Sequence, residues 1–366
     1  MSGYIDRFTA KLMLDSTGRV VTGITATTRD GATAWSCVPS CQGAAGVLSL
    51  QDPQSLNDDA VWTASTSVET EITEALGGLS IHDQRDIDSF LSEVEDVHNG
   101  PRCGVNAVLG CSVAVARLAA ERAGMPLFRY LGGIQANRLP VPCIPLIRSV
   151  DSGSPSGGGA LYLFVPHGAS SFRGALTWAN EVSQSLQQLL RENGLPDNPD
   201  AGGVFILEGC PESWLPQLIA AAMQKSGLTP GHDAGLCLTP VSVPEETLYS
   251  GRQREAGYPV IIPDDGLGYD SRGIQTMFIS PCHMETLSDC MDTAQLYHDQ
   301  HRAVCLSCSG AQTDDTFMAD LAMAARVGYL KVGLPPFAQS TGLINRLLWI
   351  EEELGSAAVF AGTRKG

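Results

Sequence analysis

The feature that most constrains the fold is the alternation of short apolar segments with amphipathic ones after Leu139. The apolar segments, which have the length of buried strands, are Pro259 to Ile262, Gln275 to Ile279 and Ala303 to Leu306. The helical patterns are Phe172 to Leu190, Ser213 to Lys225, Thr316 to Val327 and Gly342 to Leu354. Ser213 is the expected cap of its helix, with Pro216 in the first turn. Repeated strand–helix units predict a parallel sheet or a βα barrel over residues 139–366.

Residues 1–135 follow a different plan. Strands are predicted from Thr9 to Leu14, Val20 to Thr27 and Ala32 to Val38, with a turn at Asp15 to Gly18 between the first two. Helical patterns follow at Val61 to Leu76, Asp86 to Val94 and Cys103 to Gly124. Strands followed by helices predict an α+β domain. We therefore expect two domains, 1–135 and 139–366, which a chain of 366 residues can accommodate.

Charge and composition exclude several partners. The formal net charge of −17 argues against nucleic acid and against an anionic membrane surface, since both attract Lys and Arg. The sequence contains no run of about 20 apolar residues, so it predicts no membrane span. The first residues lack the plan of a secretory signal, and the eleven cysteines are scattered. Reduced thiols and a cytoplasmic location are the expectation.

Two segments, Asp151 to Gly159 and Asn193 to Gly203, contain few residues that could build a core. Long loops of a βα barrel usually lie on the face that carries the active site. Solvated connectors with no such role have the same composition. The sequence leaves both interpretations open.

A resemblance to a known family rests on several motifs in the same order. Thr313 to Leu321 resembles the enolase run T-E-D-T-F-I-A-D-L, and Tyr329 to Gly333 resembles Q-I-K-T-G. Trp349 to Gly355 resembles R-I-E-E-E-L-G, and Gly104 to Ala114 resembles G-A-N-A-I-L-G-V-S-L-A. Asp15 to Gly18 is similar to D-S-R-G. The chain thus resembles the enolase family, which implies an α+β domain followed by an eight-unit barrel.

The resemblance also implies a chemistry. Enolases are lyases of glycolysis (phosphopyruvate hydratases): a lysine removes a proton beside a carboxylate, magnesium ions neutralise the resulting charge, and a glutamate assists loss of the hydroxyl. Lys331 matches the lysine that holds the substrate carboxylate. The proton-abstracting lysine falls on Ser280, whose hydroxyl is no base near neutral pH. Losing a general base costs about 10²–10⁴ in rate.

Other positions of the family have also changed. The run S-H-R-S-G-E aligns with Ser307 to Gln312, which keeps Ser307 as a substrate-binding position but replaces the phosphate-binding Arg by Ser309. The two further catalytic glutamates fall on Leu163 and Ala201, a metal aspartate falls on Cys237, and a mobile-loop serine falls near Ala44. Five or six such replacements together predict loss of catalysis.

One metal ligand is retained in one alignment. Tyr258 to Leu267 resembles Y-P-I-V-S-I-E-D-P-F, which puts Asp264 at a metal position. The same run also matches V-A-D-D-L of the next strand, and Cys237 to Ser280 is too short for both. A strand–helix unit is therefore missing, and the expected fold class is α/β with a shortened or incomplete enolase-like barrel.

Two further clusters have competing interpretations. Cys305 and Cys308, with Cys282, His283 and Cys290 upstream, suggest zinc, but one CxxC pair is weak support and Cys305 reads as core. Asp314, Asp315 and Asp320 lie at a helix start, where the helix dipole favours acids, and this predicts a structural role.

The leading prediction is a pseudoenzyme, an enolase homologue with a structural or binding role. The alternative is an active phosphopyruvate hydratase that uses Mg²⁺; without activity, no cofactor is expected. The predicted partner is a second copy in a homodimer or another protein of an assembly, with no nucleic acid and no membrane. Thr17 replaces the arginine of D-S-R-G, so an identical family dimer is not assumed.

Overall fold

The structure is a computed structural model. It describes residues 3–39, 59–94, 103–150, 160–200, 202–211, 213–240, 258–259, 275–279, 284–307, 311–334 and 340–362.

In chain order, the strands are β1 (Ile5–Leu14), β2 (Val20–Thr28), β3 (Thr33–Cys37), β4 (Arg138–Leu139), β5 (Val141–Val150), β6 (Ala160–Val165), β7 (Phe205–Glu208), β8 (Gly235–Pro240), β9 (Tyr258–Pro259), β10 (Gln275–Ile279), β11 (Ala303–Ser307), β12 (Tyr329–Lys331) and β13 (Val359–Phe360). The α-helices are α1 (Asp59–Ser67), α2 (Thr73–Leu76), α3 (Gln84–Val94), α4 (Val105–Arg122), α5 (Leu127–Gly132), α6 (Phe172–Glu192), α7 (Leu215–Lys225), α8 (Leu287–Asp299), α9 (Phe317–Ala324) and α10 (Thr341–Leu354). A π-helical turn, Val68–Ile72, joins α1 to α2, and 3-10 turns occupy Gly133–Gln135 and Gly355–Ala357.

Contacts divide the chain into two compact units. The first comprises Met1–Ala136, Ser280–Leu296 and Ser309–Ala325. The second comprises Asn137–Ile279, Tyr297–Cys308 and Arg326–Gly366. The division into domains 1–135 and 139–366 stays a prediction.

The first unit is an antiparallel sheet of β1, β2 and β3 packed against helices. Nearly every residue of α4 is buried, and its Ala- and Gly-rich surface lets the helix lie directly on the sheet. The Ser36 hydroxyl donates to the Gly110 carbonyl over 2.6 Å, and a Cβ at Gly110 would lie 3.0 Å from Ile24. The strand–turn–strand and α4 predictions are confirmed, whereas the predicted helix 61–76 is interrupted by the π-helical turn.

The second unit contains an eight-stranded sheet ordered β8-β6-β5-β12-β11-β10-β9, with β7 also paired to β5. The strands β5, β12, β11 and β10 run parallel, while β6 is antiparallel to both of its neighbours. Between the described residues of β8 and β9, no strand pairing closes the sheet into a barrel. The strand–helix pattern after Leu139 thus forms a mainly parallel α/β sheet, as expected.

The helices of this unit follow the apolar periodicity of the sequence. In α6, the buried side chains are Phe172, Ala175, Ala179, Val182, Leu186 and Leu190, one stripe of an amphipathic helix. In α7, Pro216 occupies the first turn as predicted, but the predicted cap is wrong. That helix begins at Leu215, and its N-cap residue Trp214 makes no side-chain hydrogen bond. No helix in the described part of the chain combines the length and apolarity needed to cross a membrane.

Candidate functional site

Lys331 is the last residue of β12 and is half-buried. Its strand lies between β11 and β5, and the parallel pairing sets Lys331 level with Ser307 on one side and Cys143 on the other. Ser307 is buried and ends β11. Binding sites of βα folds lie at the carboxyl ends of parallel strands. The structure therefore brings two of the predicted site residues, Lys331 and Ser307, together at such an edge.

On the other side of β5, the antiparallel strands β6 and β8 pair Leu163 with Cys237. Leu163 is 0% exposed and Cys237 is 1% exposed. Burial raises the pKa of the Cys237 thiol far above its ordinary value, and the charge of Lys331 offsets only part of this rise. The two positions that the resemblance assigns to a catalytic glutamate and a metal aspartate thus carry an alkyl side chain and a neutral thiol.

Two more thiols lie on this face of the sheet. Cys305 is level with Tyr329, and Cys143 is level with Lys331; residues two apart on a strand share a face. A hydrogen bond with Cys305 and then burial raise the pKa of Cys143 well above its ordinary value. Burial likewise raises the pKa of Tyr329. Cys305 is buried as predicted, but Cys143 was not singled out, because only the strand register shows that it is beside Lys331.

The segment before β7 forms a turn against the chain that follows Lys331. The Asp200 carboxylate accepts hydrogen bonds from the backbone N–H groups of Gly202 (2.8 Å) and Val204 (2.9 Å). A Cβ at Gly333 would lie 3.1 Å from the Gly202 carbonyl oxygen. The end of the Asn193 to Gly203 segment therefore packs against the chain just after β12, the strand that bears Lys331. It is not a free connector there.

Several predicted positions lie outside the described residues: Asp264, Ser280, Ala201, Ala44, Ser309, Cys308, Cys282 and His283. Where the structure describes the chain, no three His, Cys, Asp or Glu side chains lie close enough together to hold a metal ion. Mg²⁺ takes oxygen ligands at near-octahedral geometry. Leu163 offers no ligating atom and Cys237 offers a soft one, so the described residues do not fit magnesium.

Two acids of the Thr313 to Leu321 motif, Asp315 and Asp320, have structural partners within the first unit. Both Asp315 oxygens pair with the Arg117 guanidinium, at 2.9 and 2.5 Å. Asp315 also accepts from the backbone N–H of Cys37 (2.8 Å) and of Phe317 (2.9 Å) at the start of α9. Asp320 accepts from the N–H of Phe128 in α5. These hydrogen bonds agree with the predicted structural role.

Other motifs that match the family also have structural roles. Glu351 accepts hydrogen bonds from the N–H groups of Phe172 (2.7 Å) and Arg173 (3.1 Å), which open α6. In the Asp15 to Gly18 turn, the Ser16 backbone N–H donates to the Gln312 carbonyl, and the Ser16 hydroxyl accepts from the Gln312 N–H. The motifs that carry the resemblance therefore form hydrogen bonds that hold helix starts and turns in place.

Comparison with known proteins gives two family matches. Residues 5–131 match the family model described as "Enolase, N-terminal domain", and residues 269–366 match "Enolase, C-terminal TIM barrel domain". Together they span more than half of the chain.

Curated relatives match over almost the whole chain. An "Enolase" of Rubrobacter xylanophilus is 30% identical over 408 residues, covering 96% of this chain and 95% of the relative. An "Enolase 2" of Pseudomonas syringae pv. syringae is 30% identical over 421 residues, covering 99% of both. An "Enolase" of Wolinella succinogenes is 30% identical over 410 residues. These alignments are longer than the 366 residues of this chain, so the chain lacks positions that the relatives have.

Proposed function

Since this chain belongs to the enolase family, with its N-terminal domain and a shortened α/β barrel domain, we propose that it is a non-catalytic enolase homologue that acts as a binding or structural component. One observation carries the proposal. Leu163 and Cys237, both buried, are paired on neighbouring strands, and the resemblance assigns these two positions to a glutamate and a metal aspartate.

The chemistry of the reaction explains why these two positions matter. Removing a proton beside a carboxylate creates a second negative charge, which must be neutralised where it forms. A leucine supplies no charge or proton, and a buried thiol with a raised pKa is neutral. Lys331 provides one positive charge against an anion that needs more. The retained motifs, by contrast, hold helices and turns, which favours selection for the framework rather than for turnover.

The alternative function is an active phosphopyruvate hydratase. Two observations favour it: Lys331 stands at the end of β12, and all three relatives named above are enolases. It requires carboxylates from outside the described residues, such as Asp264 or its neighbour Asp265, to reach Lys331. Magnesium would be its cofactor.

Magnesium binding separates the two functions. A ligand that binds the folded state raises the midpoint of thermal unfolding, by an amount set by RT ln(1 + [L]/Kd). We expect the midpoint of thermal unfolding of this chain to be the same in millimolar MgCl₂ as in an equal concentration of choline chloride. An active bacterial enolase measured alongside should be stabilised. A magnesium-specific rise that is lost in Asp264→Asn would support the alternative.

A binding or structural role requires a partner. We propose a second copy of this chain or another protein, in the cytoplasm, and no nucleic acid. The native mass from light scattering, measured at several concentrations, distinguishes a homodimer from a monomer that awaits a different partner.

A further inference from the structure

The inference concerns the start of α8, within the first compact unit, and does not depend on the proposed function. Backbone N–H groups at the start of a helix have no partner inside it. Ser112 Oγ on α4 accepts from the N–H of Leu287 over 3.1 Å. Asp88 Oδ2 on α3 accepts from the N–H of Ser288 over 3.0 Å. Thr286, just before the helix, accepts from the next N–H. Side chains of two other helices therefore hold the start of α8.

Asp88 is a carboxylate buried among neutral partners. It is 3% exposed, and its other oxygen accepts from Gln84 Nε2 (2.9 Å) and Ser112 Oγ (2.6 Å). An amide, a hydroxyl and a backbone N–H carry no charge that balances the carboxylate. Burying an unbalanced charge costs free energy, and protonation removes that cost. Burial accordingly raises the pKa of Asp88 above its ordinary value, although the hydrogen bonds oppose this rise.

The nearest positive charge on α3 belongs to another pair. Both oxygens of Asp292 on α8 accept from the Arg85 guanidinium, at 2.9 and 2.7 Å, and the two side chains are exposed. Asp292 raises the pKa of Arg85 more than Asp88 does. The other titratable side chains within two residues of the contacts with α8 are the exposed His82, Asp83, Asp86 and Asp289, the half-exposed Glu285, and the buried thiols of Cys111 and Cys290.

We propose that Asp88 is a proton-sensitive latch, which holds the start of α8 on α3 and α4 more tightly when the carboxyl is protonated. A protonated carboxyl keeps an acceptor oxygen for the N–H of Ser288. When the start of α8 moves away, water reaches Asp88 and its pKa returns to the ordinary value. Docking therefore takes up a proton, and linkage fixes the direction of the effect.

The sign follows from the two pKa values of Asp88. The added docking free energy is fully present below the ordinary aspartate pKa of about 3.9. It is lost as the pH rises through the raised pKa of the docked state. The start of α8 therefore docks more tightly in acid and more loosely near neutral pH.

The ion pair of Arg85 and Asp292 has the opposite sign. Arg85 lowers the pKa of Asp292, so this pair supports docking above that pKa and is lost as the pH falls through it. An exposed pair is weak and is screened by salt. The cost of burying the Asp88 charge is screened far less. High salt therefore separates the two contributions.

Amide hydrogen exchange of the full chain tests the latch. Exchange at Leu287 and Ser288, corrected for the intrinsic rate at each pH, gives the opening equilibrium of the helix start. In about 1 M NaCl, where the Debye length is about 3 Å, opening should increase between about pH 4.5 and about pH 7, by about tenfold for each unit of pKa shift. Asp88→Asn should abolish this pH dependence. Asp86→Asn, an exposed residue of the same helix, is the matched control and should retain it.

A carbon-13 NMR titration keeps the test decisive if Asp88→Asn does not fold. In the unmodified chain, the Asp88 carboxyl should titrate above the ordinary aspartate value. Three results would each overturn the proposal: opening that does not change with pH, a pH dependence that survives in folded Asp88→Asn, or an Asp88 carboxyl that titrates at or below the ordinary value.

Discussion

Glu351 illustrates how a residue of an enolase motif can have a structural role that does not depend on catalysis. Its two carboxylate oxygens accept the N–H groups of Phe172 and Arg173 at the start of α6, where four backbone donors have no partner within the helix. Ser171 satisfies a third donor, the N–H of Gly174, at 3.0 Å. The negative charge also lies at the favourable end of the helix dipole. Glu351 thus stabilises the start of α6 whether or not the chain is an enzyme.

A substitution of Glu351 tests this role. Glu351→Ala should lower the free energy of unfolding by about 1–2 kcal/mol, the usual cost of losing an N-terminal cap. Urea denaturation followed by circular dichroism measures the change. Glu353→Ala, an exposed residue two positions further along α10, is the control and should change stability by less than about 0.5 kcal/mol. Equal effects at the two positions would contradict the capping role.

At the scale of elements, α5 and α9 approach closely because one helix ends in glycine. A Cβ at Gly132 would lie 2.6 Å from the Cα of Ala324 and 2.9 Å from its carbonyl oxygen. Backbone atoms cannot move aside as a flexible side chain can. The small residues of the helix pair therefore set its spacing, within the unit that also contains the N-terminal sheet.

Gly132→Ala should destabilise the chain by about 1–3 kcal/mol, the range for overpacked sites. Gly328→Ala is the matched control, since the nearest atom to its added Cβ would be 3.9 Å away. The midpoint of urea unfolding should fall for the first variant and stay near that of the parent for the second. A Gly132→Ala protein as stable as its parent would show that the two helices separate at little cost.

Helix and strand predictions succeeded where a periodic pattern decides the structure, as in α6 and β11. They failed where backbone geometry decides it. The π-helical turn at Val68–Ile72 leaves the apolar pattern helical, so periodicity does not reveal it. That stretch of helix covers the edge of β1, where Glu69 and Thr73 accept the N–H groups of Ala10 and Phe8. Ser213 has the chemistry of a cap, yet the helix begins one residue too late for it.

At the scale of the whole molecule, the order of motifs along the chain predicted the family, and the two family matches confirm it. The short span between Cys237 and Ser280 predicted a shortened barrel, and alignments longer than the chain agree. The cluster around Lys331 was only half predicted. Lys331, Ser307 and Cys237 were singled out by the resemblance, whereas the position of Cys143 level with Lys331 depends on the register between β5 and β12.

We propose that this chain keeps the enolase framework without enolase catalysis. Steady-state conversion of 2-phosphoglycerate to phosphoenolpyruvate in saturating magnesium tests it most directly, with an active enolase and the Lys331→Ala variant measured alongside. We predict turnover no greater than that of Lys331→Ala. Clear turnover that disappears in Lys331→Ala would contradict the claim and assign the chain to the active phosphopyruvate hydratases.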